Sequence, residues 1–271
     1  MSRIEEALRK AKAGRMAGIA RTVGDKSRSK GATNEDATQR PSELERINIL
    51  SGHVFKADNK MLREQRVIAA SEHDDRVGLY RQLRTRLLKT MRDNAWTTLA
   101  ITSPHEQAGK SLTASNLAIS LARDVNTTVL LVDLDLNTPT IHQKLNFQPE
   151  KGLVDYLEET AKLEDIVFNP GIEGLTVVSG RSAGKESSEL LASPRMTGLI
   201  RDLYDQNVAN IVIFDLPPLL RNDDAILFAP YADAVLLVVE NGITTDDQLR
   251  QAMQLLDKAN VIGSILNKAS D

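Results

Sequence analysis

The chain contains no cysteine. Disulfides, thiolate metal sites and cysteine nucleophiles are thereby excluded, and a cytoplasmic location is compatible with that composition. Aromatic residues make up only 4% of the chain, so its core must be built from Leu, Ile, Val and Ala. No apolar run approaches the roughly 20 residues that a membrane-spanning helix needs. The opening MSRIEEALRKAKAGR also lacks the apolar stretch of a secretory signal. Any membrane connection is therefore expected through a partner or a surface-lying helix. The net charge of −3 gives no overall reason to expect a nucleic-acid partner. What remains, at 271 residues with 41% hydrophobic and 26% charged content, is one large globular domain or a domain plus an appendage.

The appendage comes first. Ser2 and Glu5 have capping-box spacing, and Ile4, Ala7, Leu8 and Ala11 recur on one helical face that Gly14 ends. Residues 1–22 thus read as a short basic amphipathic helix, either solvated or docked on a partner helix or an anionic membrane. Residues 23–73 are rich in Ser, Lys, Asn, Asp and Thr and read as a largely disordered linker, with a weak helix starting at Pro41. From 74 to 271 the pattern is that of a folded domain. A helix from Asp74 places Val77, Tyr80, Leu83, Leu87 and Leu88 on one side, punctuated by Arg76, Arg81, Arg84 and Arg86.

From Thr97 onward strands and helices alternate. Apolar runs at Leu99–Ile101, Val129–Val132, Leu175–Val178, Ile211–Phe214, Val235–Val239 and Val261–Leu266 are continuous, which implies burial on both faces. Helical patterns at Leu112–Arg123, Thr197–Tyr204 and Asp246–Ala259 lie between them. The expected fold is a doubly wound α/β domain with a mainly parallel sheet, whose ligands bind beyond the carboxyl ends of its strands.

The polar residues gather at those strand ends. Thr97 to Arg123 reads as strand, polar turn, then a helix opened by Gly109, Lys110 and Ser111, the layout of a phosphate-binding P-loop. Lys110 would reach the outer phosphates, and the Ser111 hydroxyl would face Mg²⁺. VLLVDLDLNTP ends in Asp133 and Asp135, and IVIFDLPPLL in Asp215. A carboxylate closing an apolar strand is expensive unless it meets a cation or donors, and a P-loop mouth supplies both. Asp215 fits a role in holding magnesium-bound water, with Asp133 and Asp135 around the γ-phosphate. Asp223 and Asp224 read as caps for the helix DDAILFAPYA. Asn267 ends a buried strand and is either a turn residue or an amide able to read an adenine edge.

SPHEQAGKSLTASNLAISLA, VLLVDLDLNTP, SSELLASPRM, IVIFDLPPLL and VIGSILNK together resemble the cytoplasmic domain of the bacterial tyrosine kinases of capsule and exopolysaccharide synthesis. These kinases stand among the deviant-Walker ATPases, beside the partitioning and cell-division-positioning proteins. The MSRIEEAL opening is similar to the exopolysaccharide-locus autokinase branch. The resemblance implies transfer of the ATP γ-phosphoryl group to tyrosine. It assigns Ala108, Gly109, Lys110, Ser111, Leu112 and Asn267 to the nucleotide. Ser111, Asp135 and Asp215 go to Mg²⁺, and Lys110, Asp133 and Asp135 to catalysis, with Asp133 orienting or deprotonating the acceptor. It further implies a membrane-embedded co-polymerase as activator, a cytoplasmic site at the inner membrane through that partner, and a homo-oligomeric ring assembled through Arg81 and Arg84.

Departures from the family pattern leave two further readings open. Pro104 and Gln107 stand where P-loop glycines are usual, and Asn137 replaces an arginine. Gly78 replaces the acidic residue of the assembly motif, and the final SILNKASD carries no tyrosine cluster. The tyrosines are Tyr80, Tyr156, Tyr204 and Tyr231, so autophosphorylation in the usual tail is not expected. A catalytically weak nucleotide-binding regulatory subunit is the alternative to an active kinase. A partitioning-type ATPase fits less well, because His105 stands in place of that branch's signature lysine and the domain shows no strong basic patch for DNA.

Overall fold

The computed structural model describes residues 53–71, 74, 76–183, 186–205 and 209–269, with 203–205 as backbone only. The expected N-terminal helix and the weak helix at Pro41 lie outside these residues.

Among the described residues, eight strands form one sheet. They are β1 (His53–Val54), β2 (Thr98–Thr102), β3 (Val129–Asp133), β4 (Val167–Asn169), β5 (Leu175–Val178), β6 (Ile211–Asp215), β7 (Ala234–Glu240) and β8 (Val261–Asn267). Their order across the sheet is β1-β4-β5-β3-β6-β2-β7-β8. Every pairing is parallel except β4 with β5. The helices are α1 (Asn59–Glu64), α2 (Val77–Asp93), α3 (Lys110–Ala122), α4 (Ile141–Lys144), α5 (Leu153–Leu157), α6 (Ser187–Leu191), α7 (Pro194–Asp205), α8 (Asp224–Phe228) and α9 (Asp246–Leu255). The doubly wound, mainly parallel P-loop architecture expected from the continuous apolar runs is the one observed.

The sheet separates two cores, and alternate residues of each central strand serve them. Leu99, Ile101, Val129 and Leu131 pack with Leu87, Leu88 and Met91 of α2 and Leu117 and Leu121 of α3. Ala100, Leu130 and Val132 face the other side, toward Leu153, Leu199, Ile200 and Phe228. All five residues of β2, β3 and β6 are buried, which is why their sequences are apolar without alternation.

One stretch differs from expectation. Residues 53–71, taken from composition as the end of a linker, form β1, α1 and a short 3-10 turn against the domain. Leu62 and Val67 are 1% and 0% exposed, each side chain contributing roughly 1.5–3 kcal/mol by burial. The amide of Asn116, in the middle of α3, fastens this stretch. Its Oδ1 accepts from Ala69 N–H at 2.8 Å, and its Nδ2 donates to the Arg66 carbonyl at 3.2 Å. Strands of two and three residues, such as β1 and β4, are too short for periodicity to reveal.

Candidate active site

The P-loop strand β2 lies between β6 and β7, and β3 lies on the far side of β6. Ile101 is level with Asp215 across β2 and β6, and Asp215 is level with Asp133 across β6 and β3. Three separate sequence segments therefore meet at one edge of the sheet.

Gly109 is the N-cap of α3 with φ of 96°, a left-handed conformation that suits glycine. A Cβ there would stand 2.0 Å from Asn267 Nδ2, so close approach as well as backbone angle requires glycine. Ser111 is buried, while Gly109, Lys110 and Leu112 are half-buried at the helix start. Lys110 Nζ donates to Asp135 Oδ2 at 2.6 Å, with the two side chains 11% and 1% exposed. Burial alone would push the Lys110 ammonium down. The carboxylates of Asp215, Asp135 and Asp133 outweigh it and hold the ammonium above its usual range.

The three aspartates are wholly buried but differently served. Asp133 Oδ1 accepts from Asp135 N–H at 3.2 Å, and its Oδ2 accepts from the N–H groups of Thr140 and Ile141 at 3.1 Å each. Asp135 Oδ1 accepts from the Thr138 N–H and hydroxyl at 3.0 and 3.1 Å, leaving Oδ2 for Lys110. Neither oxygen of Asp215 has a hydrogen-bond partner. Burial pushes Asp215 up to about 6, against the pull of Lys110. The Ser111 hydroxyl opposes the rise too, by proximity, since it does not reach hydrogen-bonding geometry. Asp133 is raised well above the carboxylate range by burial first and by Asp215 second.

This donor set fits a magnesium nucleotide. Two orphaned carboxylate oxygens on Asp215 beside a serine hydroxyl form a hard, oxygen-only environment of the kind Mg²⁺ takes. Among the described residues no three acidic, imidazole or thiol side chains converge to hold a metal by themselves. That agrees with the preference of Mg²⁺ for keeping water and phosphate ligands. Asp135, also expected among the metal ligands, accepts from Thr138 and from Lys110. An open hollow of about 1240 Å³ lies elsewhere, at the opposite ends of the strands beside Arg63, Arg123 and Glu173.

The CobQ/CobB/MinD/ParA nucleotide binding domain matches residues 99–271. Tyrosine-protein kinase YwqD of Bacillus subtilis (strain 168) is 33% identical over 191 residues, covering 69% of this chain and 79% of YwqD. The chain belongs to the bacterial tyrosine-protein kinases. It carries the ATP-dependent kinase domain of that family. Tyrosine-protein kinase etk of Escherichia coli (strain K12) is 32% identical over 199 residues, which span 72% of this chain but only 27% of etk. The solved kinase domain of that Escherichia coli enzyme superposes with a TM-score of 0.70 at 27% identity, covering 81% of this chain and 89% of the other.

The kinase's departures from its family now have structural meanings. Gln107 adopts φ of 60°, so it takes up the left-handed conformation for which glycine is usual, at a strain of about 1–3 kcal/mol. His105 is engaged within its own chain: Nδ1 meets the Glu106 carbonyl and Nε2 meets Thr244 Oγ1, both at 2.8 Å. Asn267 donates one N–H to the Ala108 carbonyl at 2.8 Å, so part of the amide expected at adenine supports the loop itself. Of the expected assembly arginines, Arg81 is exposed and Arg84 donates to the Ser120 carbonyl at 2.9 Å. Asp223 sits at the N-cap of α8 without a side-chain capping bond. Asp224, expected to cap as well, is instead a buried acceptor for Asn137, Asn222 and Ser188. Sequence pattern gave no sign of that role, because the Asn137 partner is 87 residues away.

Proposed function

We propose that this kinase uses Mg²⁺-ATP to phosphorylate tyrosine within the machinery of exopolysaccharide or capsule synthesis and export. In this reading it works in the cytoplasm at the inner membrane, held and activated by a membrane-embedded co-polymerase, and assembles with copies of itself. No helix of the described residues is long and apolar enough to cross a membrane, so attachment is assigned to the partner. The observation that carries the reading is the convergence of Lys110, Asp133, Asp135 and Asp215 at adjacent strand ends.

Bound Mg²⁺ would neutralise phosphate charge, held by Ser111, Asp215 and the nucleotide itself. The chain's own groups do the rest by positioning. The N-terminus of α3 and Lys110 would face the phosphates, with Lys110 oriented by its ion pair to Asp135. Asp133 is held by three backbone N–H groups. Its raised proton affinity suits it to accept the tyrosine proton. Asn267 supports the loop that would carry the phosphates, and its remaining amide groups would be available to the base.

The test is ATP turnover and phosphotyrosine formation by the purified protein with its cognate activator, beside Lys110→Met. Activity that vanishes in the variant supports the reading, and inactivity of the wild type with activator overturns it. Gln107 strained in the loop favours one alternative, a nucleotide-sensing subunit of the same machinery. That alternative predicts ADP and ATP affinity by calorimetry without turnover.

A further inference from the structure

The stretch after Asp215, residues 216–224, touches both of the other phosphate-facing segments. Its first half grips the P-loop. The Thr102 hydroxyl donates to the Pro217 carbonyl at 2.7 Å, and the N–H groups of Leu219 and Leu220 donate to the Ser103 and Pro104 carbonyls at 2.9 and 3.1 Å. Arg221 pairs with Glu106 at 2.7 Å. Its second half grips the loop that carries Asp135. Asp224, wholly buried, accepts from Asn137 Nδ2 and Asn222 Nδ2 at 2.9 Å each and from the Ser188 hydroxyl. Asn137 Nδ2 also donates to Ser187 Oγ at 2.9 Å. Asn137 stands between Asp135 and Thr138, and Thr138 returns two hydrogen bonds to Asp135 Oδ1. Anchoring Asn137 therefore fixes the turn that aims Asp135 Oδ2 at Lys110.

We propose that Asp224, acting through Asn137, is a positioning residue for phosphoryl transfer. It sets the loop so that Asp135 holds Lys110 in line with the nucleotide phosphates. Mere cohesion at this spot would be served as well by apolar packing, which avoids desolvating a carboxylate. A directional acceptor with three uncharged donors instead defines one geometry for the loop, for α6 and for the stretch after Asp215. The proposal rests on the reading of Lys110 and Asp135 as the phosphate-handling pair.

The test compares Asn137→Ala, Asp224→Asn and the exchange Asn137→Asp/Asp224→Asn, with a glutamate–tyrosine copolymer as acceptor. In the exchange, the amide at 224 donates to the carboxylate at 137, restoring the contact with its polarity reversed. Each single variant is expected to lose about tenfold or more in kcat, with KM for ATP within about twofold of wild type. The exchange is expected to recover most of that loss. Unchanged kcat in Asn137→Ala, a loss matching only the unfolded fraction, or an exchange no better than the single variants overturns the proposal. Should Asp224→Asn fail to fold, Asn137→Ala removes the same contact from its half-buried end. Lys110→Met run alongside separates the failures. Full activity there sinks the underlying reading, whereas an inactive Lys110→Met beside an unimpaired Asn137→Ala sinks the tie alone.

Discussion

Asp133 and Asp215 occupy neighbouring strand ends in register, and both are buried completely. Their surroundings are opposite. Asp133 is completed by the fold, with three backbone N–H groups aimed at its oxygens. Asp215 has none, and its carboxylate is left for something the chain does not supply. Proteins rarely leave a buried charge unserved, because desolvation without a partner is expensive. The pair thus divides burial that the fold itself satisfies from burial that it leaves open, within a single row of the sheet. One aspartate is held by the loop that follows it, and the other keeps its oxygens open, as the proposed Mg²⁺ site requires.

Several substitutions would break or sharpen this contrast. The largest effect belongs to Lys110→Met, which removes the cation that raises the charge tolerance of both aspartates. Phosphoryl transfer should fall by about a thousandfold or more. Urea denaturation should show a loss of roughly 3–5 kcal/mol, because Asp135 is left as a buried, unpaired charge. Asp215→Asn should lower turnover by about a hundredfold and weaken its Mg²⁺ dependence. The same change should raise the melting temperature of the nucleotide-free protein, since an unserved carboxylate disappears. Asp133→Ala should do the reverse for stability, stranding three N–H donors at a loss of about 3 kcal/mol in urea titration. If the two variants moved stability in the same direction, the division between the aspartates would be wrong.

The pH dependence follows from the same contrast. The proton affinity of Asp215 is raised from 3.8 to about 6 in the folded chain. Between those values the folded protein keeps a proton that the unfolded chain releases. Its stabilising contribution is therefore full below about pH 3.8 and is lost as the pH rises through about 6. Asp133, also raised, acts with the same sign. Urea midpoints of wild type between pH 4 and 7 should fall more steeply than those of Asp215→Asn. The smallest effect is expected from Gln107→Gly. It relieves a left-handed glutamine but adds chain entropy to the unfolded state, for a net gain below about 1 kcal/mol by thermal denaturation.

What sequence revealed and what it hid follow from the range of the interactions. Five strands were legible because burial on both faces forces continuous runs such as Val129–Val132, whereas β8, expected to be buried as well, is an edge strand whose apolar run stays partly exposed. The GKS at the helix start and the aspartates closing β3 and β6 were legible because a P-loop places them by local geometry. The unequal treatment of Asp133 and Asp215 was not legible. The letters DLD and FDL say nothing of the backbone N–H groups of Thr140 and Ile141. Asp224 looked like a helix cap because caps and buried acceptors use the same residue. The distant Asn137 and Ser188 separate the two roles. The folding of residues 53–71 was hidden by their polar composition, with anchors as sparse as Leu62 and Val67.

That last stretch bears on how the catalytic unit is to be prepared. A recombinant fragment designed from composition would begin near residue 74. Such a truncation would strip Leu62, Val67 and Ala69 from the core and expose apolar surface over α3. It would also take away the Ala69 N–H and the Arg66 carbonyl that serve the Asn116 amide, one turn and a half into the phosphate-binding helix. The workable cut lies upstream of His53, and the phosphate-binding helix inherits part of its rigidity from residues that sequence would discard.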